Sequence, residues 1–248
     1  GDAGRFVHIN QAGLGIPAHG SVGTGFDTGG IIAVTALDAD ALRDAGIHNL
    51  ADLNQLAPNI DVSTANGNAP LANIYIRGVG QRNSGNNIDS GVGIYIDGVY
   101  VGRPDGALLD IVDIESLQVL RGPQGTLFGK NTTGGALVFT TNKPVDEFEG
   151  SVSARVGNYD RLDGDFVLNV PLADQLWTRL SGAYRSRDGY IDNLYDGKEY
   201  MDEDRQSLIW QTRWVPAENL QFDLNLNWAE TDQRARPQKC LPVPGYTG

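Results

Sequence analysis

The chain has 248 residues, 40% of them apolar and 20% charged, with 32 glycines and a formal net charge of -12. That composition excludes a disordered tail, and the acidity argues against a nucleic-acid partner, whose phosphates need a basic face. No apolar run approaches the roughly 18 to 20 residues of a membrane-spanning helix, which leaves β-strands as the only means of entering a bilayer.

Residues Gly1 to Gly30 are rich in glycine and small residues with no sustained period, and read as a loosely ordered leader. They lack the basic, apolar and small-residue order of a secretory signal. From Ile31 the chain becomes regular. Ile31 to Ala36 is β-rich, Asp38 can cap a helix through Ala45, and Gly46 can end it. Asn49 opens a second helix with Leu50, Leu53, Leu56 and Ala57 on one face and Pro58 as its stop. Short strands follow at Ile60 to Thr64, Asn73 to Arg77 and Gly93 to Asp97, separated by loops of Asn, Gly and Ser. Ala107 to Ile111 predicts a helical turn and Glu115 to Leu120 another strand.

Val119 to Pro144 is the most distinctive stretch. It reads Val-Leu-Arg-Gly-Pro-Gln-Gly-Thr-Leu-Phe-Gly-Lys-Asn-Thr-Thr-Gly-Gly-Ala-Leu-Val-Phe-Thr-Thr-Asn-Lys-Pro, with glycines punctuating two short apolar runs. Gly129-Lys130 hints at a phosphate cradle, but Gln124 and Asn131 stand where a P-loop needs Gly and Ser or Thr. The run instead closely resembles the C-terminal signature of the plug domain of TonB-dependent outer-membrane receptors. That signature is Leu-Arg-Gly-Pro-x-Gly, then Leu-Phe-Gly, Asn-Thr-x-Gly-Gly and a closing strand. Ile74-Tyr75-Ile76-Arg77-Gly78 and Ile94-Tyr95-Ile96-Asp97-Gly98-Val99 resemble two further plug signatures, extending the likeness over residues 31 to 144.

After Pro144 and the acidic linker Val145 to Glu149 the period changes to two. Leu220, Phe222, Leu224, Leu226 and Trp228 alternate with Gln221, Asp223, Asn225 and Asn227. Leu208, Trp210, Thr212 and Trp214 repeat the pattern, as do Phe166, Leu168, Val170 and Leu172; Val152, Ala154 and Val156 are a thinner version and Leu176 to Tyr184 a less regular one. A soluble sandwich also alternates, so the connections decide. Those after Leu172 and Val215 are short, and those after Tyr184 and Trp228 lead into long polar segments, as in outer-membrane barrels. Trp214, Trp228 and Tyr184 near strand ends suit an interfacial aromatic girdle.

The expected architecture is an α+β plug domain followed by antiparallel β strands of an incomplete transmembrane β-barrel. Residues 1–30 form the leader, 31–148 the plug and 149–248 roughly the first five strands. Plugged transporters close with about 22 strands of about nine to eleven residues each, more than remain after Glu149, so a truncated chain is expected.

No catalytic constellation emerges: His8, His19 and His48 are scattered and no Ser sits in a nucleophile elbow, so neither an enzyme nor a cofactor is expected. Cys240 is alone and forms no internal disulfide. Asp192, Asp196 and Glu203, with Gly197, occupy positions of a calcium loop, but Leu194 removes a ligand and a solvated acidic loop is the ordinary reading.

The resemblance implies more. Arg77 and Arg121 would lock the plug by pairing with glutamates on the barrel wall, a bidentate role that suits Arg better than Lys. Ligand contact would come from Gln81, Arg82, Asn83, Asn86 and Asn87, with Tyr100 and Arg103. The implied function is active transport of a scarce nutrient such as a ferric siderophore across the outer membrane of a Gram-negative bacterium. Its partners would be the ligand, outer-membrane lipid and the TonB energy transducer, although no TonB box is matched in the leader. The alternative is a non-transporting binding or structural module that kept the plug signatures after losing the barrel.

Overall fold

The computed structural model describes residues 6–9, 33–47, 50–55, 59–64, 72–80, 89–102, 112–194 and 197–234. The chain begins with β1 (Phe6–Ile9), a strand inside the stretch read from sequence as a loose leader. It owes its order to pairing with a strand near the other end of the chain. Next come β2 (Ala33–Asp38) and α1 (Ala39–Asp44). The Asp38 carboxylate accepts the Ala41 N–H at 2.8 Å, the cap its residue type predicts, and Gly46 at φ +67 makes the left-handed exit.

The predicted second helix is a 3-10 helix, Leu50–Gln55. The tighter winding sets Leu50 and Leu53 one above the other, 1% and 0% exposed. It also sends the Asn54 amide to both backbone groups of Val62, at 2.7 Å each, which ties the turn to the next strand. Leu56, Ala57, Pro58 and the predicted turn at Ala107 to Ile111 lie outside the described residues.

β3 (Ile60–Thr64), β4 (Ala72–Ile76) and β5 (Val79–Gly80) form one small antiparallel sheet. β6 (Val92–Ile96), β7 (Val99–Tyr100), β8 (Ile114–Arg121) and β9 (Gly135–Thr141) join β2 in a five-stranded sheet of order β2-β8-β9-β6-β7, with α2 (Gly125–Phe128) between β8 and β9. β6 and β9 run parallel. The continuous core of this half packs Leu37, Leu53, Ile74, Ile76, Val92, Leu117, Val119, Leu137 and Phe139.

The second half is a single antiparallel sheet of order β1-β16-β15-β12-β11-β10. Its long strands are β10 (Glu149–Gly157), β11 (Arg161–Ala173), β12 (Leu176–Arg187), β15 (Glu203–Ala217) and β16 (Leu220–Thr231). A two-residue hairpin, β13 (Ile191–Asp192) with β14 (Glu199–Tyr200), lies in the loop after β12. The period-two pattern is obeyed with its faces inverted relative to a soluble protein. Asp163, Asn169, Arg179, Ser181, Arg185 and Gln211 are buried, while Phe166, Leu168, Trp210, Trp214, Leu220 and Phe222 are exposed. Leu224 and Trp228 are partly exposed rather than enclosed in a private core. Burial of the polar side and exposure of the apolar side is the arrangement of a wall with hydrocarbon outside.

Gly135 leads from the signature loop into β9 at φ +147, and a Cβ there would stand 2.2 Å from the Leu120 carbonyl oxygen. Gly135→Ala is expected to cost at least about 1 to 3 kcal/mol from backbone strain. It should raise amide hydrogen-exchange rates along β8 and β9; unchanged protection would contradict this account.

Candidate functional site

Two hairpins with nearly the same text present different side chains. Ile74 to Val79 and Ile94 to Val99 both read Ile-Tyr-Ile-x-Gly-Val, and both turn with positive φ at the x-Gly pair: +53 and +77 at Arg77-Gly78, +50 and +81 at Asp97-Gly98. This is the primed turn whose twist matches its flanking strands. Arg77 is exposed. Asp97 is drawn inward, and its carboxylate accepts the Thr141 N–H at 3.0 Å, the Thr141 hydroxyl at 2.6 Å and the Asn225 amide at 3.2 Å, and pairs with Lys143 at 2.5 Å.

Asn225 belongs to the wall, and it is one of a row. The register sets Glu149 opposite Asn169, Asn169 opposite Arg179, Arg179 opposite Gln211, and Gln211 opposite Asn225, so five polar residues cross five strands in line. Arg179 grips Asp113, at the start of β8, through Nε at 2.6 Å and Nη2 at 2.8 Å, and reaches Glu149 through Nη1 at 2.8 Å. Asn142 donates to the same Asp113 carboxylate at 2.8 Å. Gln211 donates to the Thr141 hydroxyl oxygen at 2.7 Å, and that hydroxyl donates onward to Asp97. Fully buried Asn169 holds the linker, donating to the carbonyls of Val145 and Glu147 and accepting from the Val145 N–H.

The row therefore stitches one end of the five-stranded sheet, where Asp97, Asp113 and Thr141 lie, to the wall. The Arg179 and Asp113 side chains are 8% and 5% exposed, so the fork works in a low-dielectric setting where breaking it is costly. None of these residues was singled out from sequence as a site. The available signal was the polar phase of the alternation, which puts Arg179, Gln211 and Asn225 on the face away from lipid.

Arg121 ends β8 at the opposite end of the same sheet, across from Gly135. It is buried, its Nε and Nη2 meet no hydrogen-bond acceptor, and its pKa is lowered by burial and then by the neighbouring charge of Arg77. Two guanidinium groups thus lie close together with no described carboxylate bonded to the buried one. Tyr100 is anchored rather than free: its hydroxyl accepts the Asn131 amide at 3.0 Å and its ring lies 5.5 Å from Tyr95. Tyr95 in turn donates to the Phe128 carbonyl at 2.5 Å, and burial, then Tyr100, raises its pKa.

Gln81, Arg82, Asn83, Asn86, Asn87, Arg103 and Asp196 lie outside the described residues. Two of the three acidic residues of the calcium-loop pattern are described, and both lie in strands. Asp192 pairs with Glu199 in the β13–β14 hairpin, and the Glu203 carboxylate is taken by Arg161 at 3.3 Å and by Arg205.

Residues 29–136 match the family described as the TonB-dependent Receptor Plug Domain. The chain is 30% identical over 145 residues to the pesticin receptor of Yersinia enterocolitica, covering 58% of this chain and 21% of that protein. It is 27% identical over 158 residues to the ferrioxamine B receptor of Salmonella typhimurium, covering 61% and 21%. The crystal structure of the ferric yersiniabactin uptake receptor FyuA from Yersinia pestis superposes with a TM-score of 0.69 at 25% identity, covering 80% of this chain and 31% of that one. The chain thus spans about a fifth of the length of these curated relatives.

Arg179→Ala leaves Asp113 buried without its fork, and should destabilise the junction of sheet and wall by about 3 to 5 kcal/mol. Asp113→Asn in the same background should recover part of that loss in a double-mutant cycle read by thermal unfolding in detergent. Purely additive effects would show that the two side chains do not act together.

Proposed function

We propose that this chain, whose residues 29–136 match the plug domain of TonB-dependent receptors, is part of a receptor of that kind and not an enzyme, and supplies the plug and the opening wall strands of an outer-membrane transporter for a ferric siderophore. The observation that carries this reading is the polar row on one side of strands whose other side is apolar and exposed: a plug held within a lipid-facing wall. The names of two relatives, a ferrioxamine B receptor and a ferric yersiniabactin uptake receptor, support an iron chelate as cargo.

Transport follows from that arrangement. A ligand arriving from outside meets the loop 81–90 and the segment around Tyr100 and Arg103. The end of the plug sheet near Asp97 and Asp113 stays fastened to the wall, and TonB, drawing on the inner-membrane proton gradient, rearranges the rest. Further wall strands close the barrel around residues 31–148. In that closed barrel Arg77 and Arg121 face wall carboxylates; the unbonded Nε and Nη2 of Arg121 support this pairing, since a buried guanidinium without an acceptor is unfavourable.

In a strain whose only route for iron is the full-length receptor, growth on a ferric siderophore should require TonB; growth persisting after TonB is deleted would refute the transport reading. Arg121→Ala in the same receptor should reduce uptake of radiolabelled ferric siderophore by about tenfold or more, corresponding to loss of a buried charge pair. Wild-type uptake by that variant would dismiss the lock.

A further inference from the structure

The wall carries an aromatic platform beyond its long-loop rim that neither the plug nor the lipid face accounts for. The β10–β11 connection turns through Tyr159 at φ +60 and Asp160 at φ +49, again the primed geometry, and leaves Tyr159 58% exposed. The chain leaving β12 docks on that turn, with the Asp188 N–H donating to the Tyr159 carbonyl at 2.8 Å. It then brings the ring of Tyr190, 46% exposed, to 6.0 Å from the Tyr159 ring. Tyr190 is held in turn by its N–H to the Tyr200 carbonyl at 3.2 Å. The Arg187 guanidinium lies 5.2 Å from the Tyr190 ring centre.

Two observations separate this platform from a membrane girdle. Arg187 shares the alternation phase of Arg179 and Arg185, the plug-facing side, so the ring it stacks on lies over the lumen; Tyr184 is in the opposite phase, toward lipid. Both tyrosines also stand beyond the last paired residues of their strands, Gly157 with Arg161 and Arg187 with Glu203.

The charge is available as well. At this end of the wall Arg161, Arg185 and Arg205 are committed to Asp163, Asp165 and Glu203. Among the described residues Arg187 pairs with no carboxylate: it donates Nη2 to the Met201 carbonyl at 2.7 Å, and its buried Nε has no acceptor.

We propose that Tyr159, Tyr190 and Arg187 form an outer binding site selective for ferric chelates that carry aromatic rings and negative charge, of the catecholate or phenolate class. The inference rests on the receptor reading above and narrows its ligand. Aromatic faces stack on the two rings, and the guanidinium answers the chelate's negative charge. An aliphatic hydroxamate chelate offers neither ring nor comparable charge.

The test measures equilibrium binding of a radiolabelled ferric tris-catecholate and a ferric trihydroxamate to the full-length receptor in outer-membrane vesicles. The wild type should prefer the tris-catecholate. The Tyr159→Ala, Tyr190→Ala double variant should bind it about tenfold more weakly or worse, as loss of two ring contacts implies. Arg187→Gln should also weaken it, while the double Phe variant and Tyr184→Ala should match the wild type. The proposal is overturned if the double Ala variant keeps wild-type affinity, if both chelates lose affinity equally, or if the wild type prefers the trihydroxamate. A wild type that binds neither chelate overturns the receptor reading along with it.

Discussion

The grip of Arg179 on Asp113 is the most deeply buried ion pair in the contact that joins the two bodies. A guanidinium and a carboxylate, both nearly excluded from solvent and bonded through two parallel contacts, hold the start of β8 against the first part of β12. Everything along that line is arranged to keep the fork satisfied. Glu149 and Asn142 occupy the remaining bonding directions, and Gln211, Thr141 and Asn225 continue the contact to Asp97. Such a junction is demanding, because each polar group has given up water and is costly if left unbonded.

The two halves obey opposite rules of burial. In the first, Leu53, Ile76, Leu117 and Leu137 are enclosed in an apolar core, although Arg121 and Thr141 are buried too. In the second, the polar phase is enclosed and the apolar phase is outside. The Trp214 ring stacks on Phe222 at 5.4 Å on the exposed side near the short turns, and the Trp210 indole N–H is satisfied by the Thr178 hydroxyl at 2.9 Å. An apolar core in one half and an apolar outer face in the other is the contrast between a globular domain and the wall of a membrane barrel.

Much of this was legible in the sequence where the cause is local. Asp38 as a cap, the strands that end near Arg77 and Asp97, and the two faces of β16 follow from side-chain chemistry and period. What escaped depends on partners far apart in the chain. Asp113 and Arg179 are separated by 66 positions and Asp97 and Asn225 by 128, and nothing at either position announces the other. The 3-10 form of Leu50–Gln55 escaped because it is decided by the Asn54 amide reaching Val62. The arginines that hold Glu203 were likewise hidden, because Arg161 meets it only through the sheet.

The strand β10 shows one further consequence. All nine of its residues are exposed, and it pairs on one side only, with β11. Among the described residues its other flank, a row of amide and carbonyl groups, has no strand beside it. Water would solvate such a flank at little cost, but oil would not: each unmatched group there carries a penalty of several kcal/mol. Residence there demands that another strand be zipped along that flank, so closure of the ring and entry into lipid are one event rather than two.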